Sequence, residues 1–321
     1  MKKFLVATAV LTSLLVAPAP ASAATTDDGT RLVAVTDQAT HQIRLFDPKV
    51  TDWSAPGAER WDWKPTTSNG FLPREIQRWG VPTDVKLRKD DSGGYVAVVS
   101  DSLGLAALID YPSGFRRWAT DATLGGTVDA NPHSVELLPG NIVAVAASTG
   151  GFVQLFRTGS PPSPAGPKFV LPGAHGVYWD PDRQVLWATA DHDLVELKLD
   201  RMTHSALVEV GRTRLVTPSG HDLAPKLGDP DHLWVSTDTA AYLYDKNSGH
   251  FTLVIDAGLK SISSMPLPNG EQVRTRPQPA WAGDPDNWNT DTVEFGGIDG
   301  PTRVVPNGRF YKARVWSSQR A

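Results

Sequence analysis

The sequence predicts an all-β fold, a six-bladed β-propeller spanning residues 31–317, on three observations. Short runs rich in Val, Leu, Ile and aromatics are bounded by Gly, Pro, Asp and Asn, the pattern of many short antiparallel strands. These runs recur as a three-part unit every ~40–50 residues, the period of propeller blades. No stretch beyond residue 23 keeps a helical apolar period over ~12 residues. A seven-bladed ring is the alternative count. A two-sheet sandwich is the rival architecture, but it would not require a repeating three-part unit.

The N-terminus comes first. Lys2 and Lys3 precede an apolar run at residues 4–16, and Ala21-Ser22-Ala23 follows. That order predicts a cleaved signal peptide at 1–23, a short linker at 24–30 and a secreted, extracellular product. The apolar run is too short to cross ~30 Å of hydrocarbon.

The blades follow in order. Residues 32–37 and 42–47 read as the first hairpin, an apolar strand, a tight turn and a second strand. The same reading holds for 95–101 with 105–110, 141–148 with 151–156, 184–191 with 193–197, and 232–238 with 241–245. A further strand precedes the last four pairs, at 82–87, 132–137, 174–179 and 220–223, and residues 260–265 begin a sixth unit. Residues 310–316 read as a terminal strand, expected to share a sheet with the first so that the ring closes without an open edge. Residues 53–82 and 276–288 lack strand alternation and read as elaborated loops.

Composition excludes several classes. The 321-residue chain has no Cys, so disulfides, thiolate metal sites and cysteine catalysis are ruled out. Its net charge is −4 with no long basic run, which argues against nucleic acid or an anionic membrane as partner. It has no phosphate-binding Gly-rich loop, no Gly-x-Ser-x-Gly elbow and no His-Glu-x-x-His helix.

The repeat carries one chemical signal. His133, His175 and His221 occupy the start of the innermost strand in three consecutive units. In a propeller that start lies at the mouth of the central channel. Thr83 fills the position in one flanking unit, and Ser261 or Ile262 in the other. Three converging imidazoles would repel if protonated, so they are expected to stay neutral, share a ligand or bind a metal. A hydrogen-bonded plug is the bland alternative.

The rim around them is polar. Asp37, Asp101, Ser148, Asp191 with His192, and Asp238 end the strands that turn on that side, and Asp84, Asp222 and Lys260 lie beside the inner positions. One Asp at a turn is ordinary turn chemistry, but together they suit a concave binding site. Trp79, with Arg74 and Arg78 nearby, offers a stacking face and carboxylate partners for a sugar acid. Of the 11 Trp, Trp187 and Trp234 lie inside strands and are expected to pack between blades. Trp53, Trp61, Trp63, Trp281 and Trp288 fall in the predicted loops and stay open to ligand binding.

The segment Pro-His-Ser-Val-Glu-Leu-Leu-Pro-Gly-Asn-Ile-Val at 132–143 resembles the blade opening of NHL-like, gluconolactonase-like and streptogramin-lyase-like propellers. There a Pro-His-Gly/Ser opening precedes a Pro-Asp-Gly-Asn turn. His-Gly-Val-Tyr-Trp-Asp-Pro-Asp at 175–182 is similar. The axial histidines resemble those of propeller polysaccharide lyases, some of which hold a divalent metal there. That resemblance implies His133, His175 and His221 as ligands or base; the lyases' other ligands cannot be placed on this sequence. As a whole the chain resembles a family of secreted bacterial propellers without an assigned activity.

The leading expectation is therefore a secreted, carbohydrate-active lyase cleaving beside a uronic acid. β-Elimination needs neutralisation of the carboxylate, a base for the C5 proton and an acid for the leaving oxygen. His133, His175 and His221 are the expected catalytic residues, and by resemblance also the ligands of a divalent metal, Mn, Zn or Ca. The expected substrate-binding residues are Asp84, Asp101, Asp191, His192, Asp222, Asp238, Lys260, Arg74, Arg78 and Trp79. A metal-dependent lactonase or esterase is the nearest enzymatic variant. A non-catalytic propeller binding glycan or protein is the alternative from another class, and fold alone does not separate them. The expected partner is an extracellular glycan or small polar substrate, taken by a monomer.

Overall fold

The computed structural model describes residues 31–125, 130–159, 161–200, 205–278, 287–297 and 299–319. The predicted signal peptide, the linker and Trp281 lie outside them. The strands fall in chain order into sheets. Blade 1 takes β1 (Val33–Asp37), β2 (Gln42–Phe46) and β3 (Glu59–Trp63). Blade 2 is β4 (Pro82–Lys89), β5 (Tyr95–Asp101), β6 (Leu105–Asp110) and β7 (Arg116–Asp121). Blade 3 is β8 (Pro132–Leu138), β9 (Ile142–Ala147) and β10 (Phe152–Arg157), edged by the short β11 (Ser163–Pro164) and β12 (Phe169–Val170). Blade 4 is β13 (Gly176–Asp180), β14 (Val185–Thr189), β15 (Asp193–Leu199) and β16 (Leu207–Arg214). Blade 5 is β17 (Gly220–Pro225), β18 (His232–Thr237), β19 (Ala241–Asp245) and β20 (His250–Ile255). Blade 6 is β21 (Ser261–Ser264), β22 (Gln272–Thr275), β23 (Thr292–Phe295) and β24 (Thr302–Val304).

The last strand, β25 (Phe310–Val315), pairs antiparallel with β1 and becomes the inner strand of blade 1. The chain ends share a sheet, as the sequence predicts, and the ring closes. The described residues thus form six antiparallel sheets. Their inner strands touch in a closed circuit, β25–β4–β8–β13–β17–β21 and back to β25.

The pattern of burial follows from this stacking. Inner and second strands are covered on both faces by neighbouring blades, so β8 and β9 are buried at every position, and β9 reads as an unbroken run of Ile, Val and Ala. The outer strand β16 is mostly exposed, with Gly211 and Thr213 half-buried between exposed neighbours. An apolar core fills each junction between blades. Leu45 and Trp63 of blade 1 meet Leu87, Val99 and Ile109 of blade 2 around the fully buried Trp316. Trp187 and Trp234 are buried in such junctions, as expected.

The loop reading of residues 53–82 needs correction. β3 lies inside it, followed by a 3-10 turn at Thr67–Asn69 and a one-turn helix, α1, at Pro73–Ile76. The Trp61 and Trp63 pair, spaced by two, was the strand signal. Trp61 packs on Trp316 and Trp63 on Phe71 and Trp79. Trp53 stacks on Phe46 with centroids 4.5 Å apart. These three indoles serve packing. Trp288 alone of the described loop tryptophans is exposed, and its Nε1 donates to Gln38.

Candidate functional site

The site begins with a repeated irregularity of the inner strands. In β4 the register jumps from Pro82↔Asp101 to Asp84↔Ser100, in β8 from Pro132↔Ala147 to Ser134↔Ala146, and in β17 from Gly220↔Thr237 to Asp222↔Ser236. One residue is left over each time: Thr83, His133 or His221. β25 has the same jump, between Phe310↔Asp37 and Ala313↔Val35, and Tyr311 takes the equivalent place. An extra residue in a strand bends it and re-aims the side chain. Here it turns the extra residue of these four inner strands toward the channel mouth.

Blades 4 and 6 reach the same position without an extra residue. His175 N–H donates to Thr189 O at 2.9 Å just ahead of the pair Gly176↔Thr189. Lys260 N–H donates to Thr275 O at 3.0 Å just ahead of Ser261↔Thr275. The sixth position therefore belongs to Lys260, not to Ser261 or Ile262. From blade 1 to blade 6 the mouth carries Tyr311, Thr83, His133, His175, His221 and Lys260.

Five of these form a row. The Tyr311 and His133 rings lie 5.5 Å apart, His133 and His175 4.4 Å, and His175 and His221 4.9 Å. Lys260 Nζ is 2.6 Å from His221 Nε2, and Asp238 contacts the same nitrogen. Thr83 is tucked away, donating to Pro132 O at 2.8 Å.

Local hydrogen bonds set the ring states. His133 Nδ1 lies 2.9 Å from Asn131 O and His175 Nδ1 2.9 Å from Gly173 O. A carbonyl only accepts, so both Nδ1 carry the proton and both Nε2 keep a lone pair. Burial, with Lys312, His221 and Lys260 adding, holds His133 down to about 3. Burial and the rings on either side hold His175 well below the ordinary range. His221 is also lowered by burial, with Asp238 opposing. Its own hydrogen bond to His221 holds Asp238 at about 2. Burial lowers Lys260.

Beneath the row the channel is sealed. Asp84 and Asp222 are both 0% exposed. Arg314 bridges them, with Nε 3.0 Å from Asp84 and its two terminal nitrogens 2.8 and 2.6 Å from Asp222. Lys312 Nζ lies 3.2 Å from Asp222 and 3.1 Å from His133 O. Lys86 sits 3.2 Å from Asp84, and Arg88 grips Glu136 with two bonds of 2.7 Å. Burial opposes the charge on Asp84, but Arg314 and Lys86 keep it well below the usual carboxylate range. Asp84 and Asp222 thus anchor a plug of ion pairs. Their predicted contact with substrate is corrected, because both are spent on Arg314 and closed to solvent.

The remaining expected binding residues divide. Asp238 and Lys260 join the row. Asp191 packs against Gly173, whose carbonyl holds His175; an added Cβ on Gly173 would meet Asp191 Oδ1 at 2.0 Å. His192 O accepts from Leu215 N–H at 2.9 Å, a loop contact. Asp101 accepts from the N–H groups of Gly80, Val81 and Leu103, and burial pushes it up to about 6. It fastens the loop before β4. Trp79 packs on Trp63 and donates to His41 O at 2.8 Å. Arg74 and Arg78 line a separate cleft of about 430 Å³ with Glu75 and Asp121. The predicted Trp79 platform is therefore a packing element, and the two arginines do not meet the histidines.

Three-histidine ligation of a metal does not fit this arrangement. His133 and His175 offer free Nε2 atoms, but His221 Nε2 is taken by Asp238 and an ammonium at 2.6 Å. A cation at Lys260 repels a second cation there. Among the described residues no three His, Asp or Glu side chains form a set that could hold a metal ion.

Sequence reasoning missed Tyr311 and Arg276. Tyr311 follows Phe310 at the start of a strand read only as a closing edge; aligning that strand with 132–137 would have exposed it. Arg276 borders a cleft of about 280 Å³ with His221, Asp238 and Lys260, and lay in a segment read as loop.

Known structures share the fold. A protein of unknown function from Bacteroides caccae is 12% identical, with a TM-score of 0.53, covering 88% of this chain and 93% of that one. A catalytically inactive histidine-to-alanine variant of virginiamycin B lyase from Staphylococcus aureus, solved with quinupristin, is 13% identical. Its TM-score is 0.50, and the match covers 89% of this chain and 82% of that one. No curated protein matches the chain in sequence. Residues 31–284, which hold the strands from β1 to β22, match the model of a family of unknown function, DUF6528, and the chain belongs to that family.

Proposed function

We propose that the protein is a secreted lyase that cleaves an extracellular glycan beside a uronic acid at the open mouth of its channel. The carrying observation is the row of adjacent imidazoles, held neutral by burial and ending on the Lys260 ammonium. A buried neutral imidazole with a free Nε2 is a base that needs no deprotonation first.

The chemistry follows from the row. His175 Nε2 takes the C5 proton of the uronic acid, and the C–H electron pair becomes the C4–C5 double bond. The C4–O bond breaks, and the leaving oxygen takes a proton from the Tyr311 hydroxyl. Burial, with Asp222 and Asp84 nearby, raises the Tyr311 pKa, so that hydroxyl stays protonated. Lys260 offsets the carboxylate charge that grows as the C5 proton leaves. The products are an unsaturated uronate and a new chain end, and no water is consumed. The virginiamycin B lyase neighbour, inactive once a histidine is replaced by alanine, supports histidine-dependent chemistry on this fold.

The test is a screen of pectic, alginate, gum and glycosaminoglycan polymers for the ultraviolet absorbance of unsaturated product. The wild type should release product from at least one class, and His175→Ala should lower the rate by roughly 10²-fold or more. Silence across all four classes, or an unimpaired His175→Ala variant, overturns the lyase reading. Unchanged glycan binding together with that silence would favour a non-catalytic module.

A further inference from the structure

The sixth blade adds a second cation to the end of the histidine row. Arg276 follows β22 directly and borders the cleft of about 280 Å³ shared by His221, Asp238 and Lys260. One terminal nitrogen lies 2.8 Å from Glu294. Its Nε–H is buried and meets no acceptor among the described residues. A buried donor without an acceptor costs free energy, so Arg276, which borders the cleft, is short of one acceptor.

The charge balance points the same way. Glu294 is shared with the fully buried Arg274, at 2.8 Å. Asp238 is shared between His221 and Lys260. Among the described residues, three cations, Lys260, Arg274 and Arg276, therefore face two carboxylates, Asp238 and Glu294, and one positive charge is left over. The walls are fixed. An added Cβ on Gly258 would fall 2.0 Å from Asp238 O, so that glycine lets the segment leading to Lys260 lie against the Asp238 turn.

We propose that this cleft is a carboxylate-binding subsite, in which Arg276 and Lys260 receive the acid group of a monoanionic sugar acid next to His221. The inference rests on the uronate reading of the same mouth and names the groups that hold the acid. The planar fork of Arg276 matches a carboxylate's two oxygens, which a point charge does not. It also moves the acid-binding role from Arg74 and Arg78 to residues that touch the histidine row.

The test uses the full ¹⁵N-labelled chain and two probes, glucuronate and its uncharged methyl ester. Glucuronate should shift the Arg276 Nε–H signal saturably, and the ester should not. Arg276→Gln should weaken glucuronate binding roughly ten- to a hundredfold, with Arg276→Lys recovering part of the loss. An unmoved Nε–H signal, or equal shifts from acid and ester, overturns the subsite whatever the variants do. A saturable shift without any lyase product keeps the subsite and removes the lyase reading. Polymer cleavage that Arg276→Gln leaves intact does the reverse.

Discussion

A proton on His175 would sit between two other imidazoles in a largely desolvated row, with its Nδ1 already committed to Gly173 O. Keeping such rings neutral has a consequence for stability. In the unfolded chain His133 and His175 titrate near 6.5, whereas in the fold both are held far lower. Between those values the unfolded state binds more protons, so stability is complete above 6.5 and falls as pH drops below it. Each ring contributes at most ~1.4 kcal/mol per pH unit in that window. Denaturant melts of the wild type should lose stability steeply on acidification, and His133→Gln/His175→Gln should flatten the slope. An unchanged slope would mean that the rings carry protons in the fold. His133, His175 and His221 were legible because each follows Pro, Ala or Gly at the head of an inner strand. Tyr311 was not, since its strand stands alone at the chain end, with no hairpin after it to set the register.

At the scale of the strand, the mouth depends on how closely inner strands approach. Gly176 follows His175 where other blades place Asp84, Ser134, Asp222 or Ser261. An added Cβ there would lie 2.8 Å from both Leu223 Cβ and Thr189 Cγ2. Gly176→Val is expected to force blades 4 and 5 apart, cost ~1–3 kcal/mol and lower activity along with stability. Thermal melts and product formation measured together check it; a variant matching wild type in both would show that the approach is slack. Hairpins such as β5–β6 and β9–β10 could be read from the sequence because alternation and turn residues are local. The extra residues at Thr83, His133 and His221 could not, because a register jump is a relation between two strands. β3 escaped notice for another reason. Its Arg60 and Asp62 alternate with Trp61 and Trp63 over only five residues, amid Pro- and Gly-rich sequence that reads as loop.

Across the whole molecule, Arg314 ties three blades together. It stands on β25 of blade 1 and bonds Asp84 of blade 2 and Asp222 of blade 5. The period of the repeat revealed the ring and its closure. It did not reveal this plug, because Asp84 and Asp222 look like rim acids until an arginine at the far end of the chain is placed between them. Arg314→Leu would leave two buried carboxylates without their main partner, at a cost of roughly 3–5 kcal/mol. Arg314→Leu with Asp84→Asn and Asp222→Asn should recover part of that stability. Chemical denaturation checks both, and a single variant as stable as wild type would show that the plug contributes little.

The most direct measurement is a long-range ¹H–¹⁵N spectrum of the histidine side chains, recorded through acidification and then with an oligouronate added. Neutral Nδ1–H rings at His133 and His175 well below pH 6.5, with their Nε2 signals moved by the oligouronate, are the expected result. Ordinary titration near 6.5 with no response to the oligouronate would contradict a reaction centre at the channel mouth.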